Sequence, residues 1–242
     1  MIFRWFFITK KNTKFVNMNN TDLKYFLIII LPRLSLGFFL LCIGMGMYFY
    51  PGSTYHNYET TGYLFSQNFL SDLGSTITYG GDNNFHSSIL FNMSLVFGGI
   101  TYMIFYFLIK NLFNSNLIAK MGSLAGVLGA ICFIGVALTP ADLFLDAHIL
   151  FNMWLFRFFL LSTLCYSWLM YKSDDINNYY LSGNLIFIIF LALYILILMY
   201  APSPHESHAA LVFQAVSQKI ILFNFILSIT VQTMAYSKIY KS

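Results

Sequence analysis

Apolar and polar positions come in blocks along this chain and are not interleaved. Six long runs, at 25–50, 88–109, 120–139, 147–171, 181–201 and 209–236, are built almost wholly of apolar and aromatic residues. Each is long enough for a helix to cross the ~30 Å hydrocarbon core of a bilayer, which takes roughly 20 residues. Pro51, Pro140 and Pro202 stand just past the ends of runs, where a residue without an N–H stops a helix. The pattern predicts an all-α fold, a polytopic membrane bundle of six transmembrane helices. Residues 1–24 form an N-terminal segment, 25–236 the membrane domain and 237–242 a short tail. One connection is long and four are short, the mark of a compact bundle with one elaborated loop.

The one long polar interval, from Leu64 to Leu95, fills that loop and runs into the second span. Phe65, Phe69, Leu70 and Leu73 recur at helical spacing and Gly74 follows as a C-cap, so residues 66–73 are expected as a short helix lying on the membrane surface. Tyr79-Gly80-Gly81-Asp82-Asn83-Asn84 then reads as a turn back to the second span. Asp72 in this stretch caps the helix, is solvated, or binds a ligand. Ahead of the first span, MIFRWFFIT is too short to cross, and its lysines, Lys10 and Lys11, follow the apolar stretch. That order is the reverse of a cleavable signal peptide; an interfacial anchor, or a start at Met18, fits instead.

Composition excludes a water-soluble domain: 58% of the 242 residues are hydrophobic and only 9% charged, with a mean hydropathy of +0.69, too little charge to cover a surface. The net charge of +4 does not point to nucleic acid, because the basic residues are scattered over loops and form no groove. Cys42, Cys132 and Cys165 all fall within apolar runs and read as small buried hydrophobes. Outside the spans, lysine and arginine sort to one side: Arg4, Lys10, Lys11, Lys14 and Lys24 before the first, Lys110, Lys120 and Lys172 in the second and fourth loops, Lys238 and Lys241 at the end. The positive-inside rule then makes both termini cytoplasmic. All five histidines and six of the nine carboxylates fall on the opposite, outer face.

Chemistry has three candidate locations. The tetrapeptide Ile-Leu-Phe-Asn recurs at 89–92, 149–152 and 221–224, either by chance in an oily chain or as the trace of a duplicated hairpin. Its amides, Asn92, Asn152 and Asn224, need partners in hydrocarbon and are expected to bond between helices. Arg33, Arg157 and Lys219 lie inside spans, where a charge faces a cavity or a partner; Arg157, mid-span, suits an anionic group or an asparagine carbonyl. Lys219 and Arg33 reach an interface if their helices shift by a turn. The third location is Asp142, Asp146 and His148 in the third loop with His205, Glu206 and His208 in the fifth. Histidines with carboxylates are zinc ligands, and zinc with an open position activates water. No HExxH, CxxC, GxSxG or Walker motif is present; the alternative is a solvated or hydrogen-bonded outer cap.

The residues NFLSDLGST (68–76), DNNFHSSILFN (82–92) and ICFIGVALTPADLFLDAHILFN (131–152) resemble a group of prokaryotic multi-pass membrane proteins classed as a domain of unknown function, over most of the chain. Ser71-Asp72-Leu73-Gly74 is distantly similar to the Ile-Ser-Asp-Thr-Gly element of the Frag1, DRAM and Sfk1 group, six-helix proteins linked to lipid handling. A looser comparison is with ceramidase and adiponectin-receptor hydrolases, which have seven spans and HxxxH where this chain has HxxH. The resemblances imply a prokaryotic plasma-membrane protein with membrane lipid as partner. Three functions follow: binding or organising lipid, a metal-dependent lipid or amide hydrolase at the outer face, and a small transporter with Arg157 on its path.

Overall fold

The structure, a computed structural model, describes residues 20–240. The anchor and start-site readings of the first residues lie outside the described residues. Six helices are each long and apolar enough to cross a membrane: α1 Thr21–Phe49, α2 Phe85–Phe113, α3 Leu117–Leu138, α4 Leu145–Tyr171, α5 Asn178–Tyr200 and α6 His208–Ile239. The expected spans are recovered to within a few residues, and the chain is an integral membrane protein of the all-α class. Each helix packs on its neighbours in sequence, and α6 returns to α1, so the six form a closed ring. Because the count is even, both described ends emerge on one face; there Tyr25 meets Tyr240 edge-on, ring centroids 5.6 Å apart.

Association in lipid cannot rely on the hydrophobic effect, so close packing and buried hydrogen bonds hold the ring. The tightest contacts are those of α3 with α2 and α4, made possible by α3 glycines that receive aromatic rings. A Cβ at Gly126 would lie 2.2 Å from the Tyr106 ring, one at Gly129 2.7 Å from Phe159, and one at Gly135 2.5 Å from Phe151. Polar bonds close the thinner seams. Arg33 Nε donates to Thr233 Oγ1 at 2.9 Å between α1 and α6. Ser228 Oγ in α6 donates to Asn184 Oδ1 in α5 at 3.1 Å and accepts from Gln232 Nε2 at 3.0 Å. In α1 the turn Phe26–Ile30 widens to π-helical geometry just before Pro32, whose missing N–H leaves the regular ladder one donor short.

The long first loop departs from expectation. It opens with a two-stranded antiparallel hairpin, β1 Gly52–Thr54 and β2 Asn57–Thr61, which the apolar pattern did not announce. After a turn at 64–68 comes a single 3-10 turn, Leu70–Gly74, with Leu70, Asp72, Leu73 and Gly74 all buried. The expected surface helix is thus a short plug set into the mouth of the ring; only Phe65 of its apolar set stays outside, 59% exposed. Gly74 is not a left-handed cap either. A Cβ there would sit 2.7 Å from Asn92 Oδ1 and 2.8 Å from the Phe91 ring, so glycine is required for the close approach of plug to α2.

Candidate functional site

A 3-10 turn buried in a membrane protein exposes carbonyls that water cannot reach, and each needs a donor. The polar first turns of α2 supply them. Asn84 Nδ2 donates to the carbonyls of Asp72, Leu73 and Ser75 at 3.2, 3.2 and 2.8 Å. Ser87 Oγ reaches Leu73 O at 3.1 Å, and Ser88 Oγ and Asn92 Nδ2 reach Gly74 O at 2.8 and 2.9 Å. The plug is therefore stapled to α2. Asn92 bonds to this loop, whereas an amide between two helices was expected.

From the other side α6 holds the plug's start. Gln218 Oε1 accepts from Leu70 N at 2.6 Å, and Lys219 Nζ donates to the carbonyl of Asn68. The Asn68 amide donates to Ser53 O at 2.9 Å and to Asp72 Oδ2 at 3.2 Å. Asp72 also accepts from Phe69 N at 2.8 Å and from the Tyr79 hydroxyl at 3.0 Å. Asn68 thus links a buried carboxylate to a buried ammonium, which also lies 5.5 and 5.4 Å from the Tyr63 and Phe65 ring centroids. Burial pushes the Asp72 carboxyl up to about 6, against the downward pull of the Asn68, Phe69 and Tyr79 hydrogen bonds and the Lys219 charge. Asp72 is a cap, as one reading had it, but it is only 5% exposed and is not solvated. Lys219 does not snorkel to an interface; it is 8% exposed, beneath the loop.

Below the plug lies a pocket of about 100 Å³ to which every helix contributes: Phe39, Phe91, Phe133, Phe156, Phe187 and Phe225 from α1 to α6. Its floor is aromatic, with Phe225 stacked on Phe159 at 5.6 Å and tilted against Phe187 at 6.0 Å. At the plug end the wall carries Ser71, Asn152 and Gln218. Asn152 stands seven residues before Phe159, and Gln218 seven before Phe225, about 10 Å along each helix. Asn152 and the Ser71 hydroxyl bond to no described residue, and Gln218 spends only its carbonyl oxygen. The pocket has one hydrogen-bonding end and one apolar end.

The remaining sequence candidates are spread apart. Arg157 is half-buried off the pocket, its Nη1 donating to Met153 O of its own helix at 2.9 Å, with the Trp154 ring 5.8 Å away. Asn224 likewise turns to its own helix, at Ile220 O, so of the three repeated asparagines one bonds the loop, one its own helix and Asn152 no described residue, where bonds between helices were expected. Asp142 receives Thr76 N at 3.0 Å and Ile77 N at 3.1 Å and ties the first loop to the third. His148 donates Nδ1–H to Thr139 O at 2.7 Å, which leaves Nε2 buried without a partner among the described residues. His205 bonds the Tyr55 hydroxyl; Asp146 and His208 are exposed. Among the described residues no three His, Cys, Asp or Glu side chains gather as a metal site. Asn68, Ser71, Tyr79 and Gln218 escaped the sequence reading; only the four-residue spacing of Asn68 and Asp72 hinted at a pair.

Compared with protein-family models, with curated proteins and with solved structures, the chain matches none.

Proposed function

We propose that this membrane protein binds a lipid-like amphiphile inside its helix ring, beneath the first-loop plug. The observation that carries the reading is the pocket: built by all six helices, floored by aromatic rings and polar at one end, it has the make-up of a ligand site, mostly apolar with a few convergent polar groups. Lys24, Lys110, Lys120, Lys172 and Lys238 gather at the face opposite the plug, which supports an orientation with the plug outward and the termini cytoplasmic. The hydrolase reading draws no support from the outer histidines and carboxylates, since Asp142, His148 and His205 are engaged with protein partners.

The test is mass spectrometry of lipid retained by the protein purified in mild detergent. The wild type should hold on the order of one equivalent of a small amphiphile, as one pocket predicts, and Leu222→Trp, which fills the pocket, should lose it while remaining folded. Equal retention by the filled variant, or none by the wild type, would remove the proposal.

A further inference from the structure

The pocket's two polar wall residues nearest to charge are Ser71 and Gln218, each followed in sequence by an ionisable side chain, Asp72 and Lys219. Neither charge enters the pocket. The Asp72 carboxylate turns into the loop, where Asn68, Phe69 N and Tyr79 saturate it. The Lys219 ammonium turns to the Asn68 carbonyl and the rings of Tyr63 and Phe65. What remains at the polar end is uncharged: the Asn152 amide, the Ser71 hydroxyl and the free amino group of Gln218. Gln218's orientation is fixed, because the Leu70 N–H can only be met by its oxygen, so its NH₂ is left to donate.

Resting on the lipid-binding reading, we infer that the pocket selects amphiphiles with an uncharged oxygen head, a hydroxyl or an ester carbonyl, over carboxylates, phosphates and amines. The Gln218 NH₂ asks for an acceptor. Asn152 and Ser71 both donate and accept, so a hydroxyl oxygen satisfies all three. An ionised head would leave water for a wall with no opposite charge, so it is disfavoured there. The size agrees with a compact head and the first carbons of a chain: an engineered cavity of ~150 Å³ elsewhere holds benzene, and this one is about 100 Å³.

The experiment uses the full-length protein in lipid nanodiscs and four photoreactive alkyl diazirine probes of one chain length, bearing a primary alcohol, a carboxylate, an amine or no head group. Labelled positions are mapped by tandem mass spectrometry. The alcohol should label the 152–159 and 218–225 segments roughly tenfold or more above the carboxylate and amine, as the cost of burying an unpaired charge requires. Unlabelled alcohol should compete it away. In Asn152→Leu, alcohol labelling should fall to the level of the headless probe; this variant should fold normally, since Asn152 bonds to no described residue. Carboxylate or amine labelling equal to the alcohol would overturn the selectivity and leave lipid binding standing. Labelling of these segments by no probe at all would overturn both.

Discussion

At the scale of single residues, the buried carboxylate of Asp72 makes the sharpest statement. Its folded value of about 6 lies above the ordinary 3.8, so between these pH values the folded protein keeps a proton that the unfolded chain has lost. The sign follows: the stability this group confers is fully present below 3.8 and is lost as pH rises through 6. That gap corresponds to about 3 kcal/mol at most. Melting temperature should therefore rise when the wild type is taken from pH 7 to pH 5, and Asp72→Asn, which keeps an oxygen for Phe69 N and turns its NH₂ to the Tyr79 hydroxyl oxygen, should flatten that rise; an unchanged slope in the variant would contradict the assignment. The asparagines separate equally clearly. Asn92→Leu leaves the Gly74 carbonyl with Ser88 alone and should cost about 1 kcal/mol, whereas Asn152→Leu should leave the melt unmoved.

At the scale of elements, the fold turns on how closely helices approach. Gly126 is filled by the ring of Tyr106, itself 2% exposed, and that ring has nowhere to move. Gly126→Val should destabilise by about 1–3 kcal/mol through overpacking. Gly37 has nothing within 4 Å of where a Cβ would stand, and Gly37→Ala should be neutral or stabilise by up to ~1 kcal/mol through helix propensity. Thermal melts of the two variants in one detergent check both. The plug obeys the same logic: a 3-10 turn survives among hydrophobic helices because Asn84 just before α2 and Ser87, Ser88 and Asn92 within it have donors that meet its carbonyls.

At the scale of the whole molecule, α6 is the longest element among the described residues, 32 residues or about 48 Å, well beyond a ~30 Å core. Its first turns and the loop it grips stand together on the face opposite the described ends, residues 20 and 240, the arrangement expected of a capped ring. Cysteines placed at Asp82 and at Asp174, in a background without Cys42, Cys132 and Cys165, should react differently with an impermeant reagent in intact cells. Label at Asp82 alone fits a plug facing outward; label at Asp174 alone would invert the molecule.

The six spans were legible in the sequence because a bilayer-crossing helix satisfies its backbone within itself and advertises its environment residue by residue. The lysine asymmetry was legible for the same reason, being a property of loops counted singly. What only the tertiary structure decided is the site. Lys219 meets Asn68 across 151 positions and Gln218 meets Leu70 across 148, separations at which no periodicity operates. The spacing of Phe65, Phe69, Leu70 and Leu73 marks an apolar face, yet such a face looks alike whether lipid or a helix ring will cover it. The ring covered it, and in doing so buried Asp72, turned both charges away from the pocket and left Asn152 facing it without a partner.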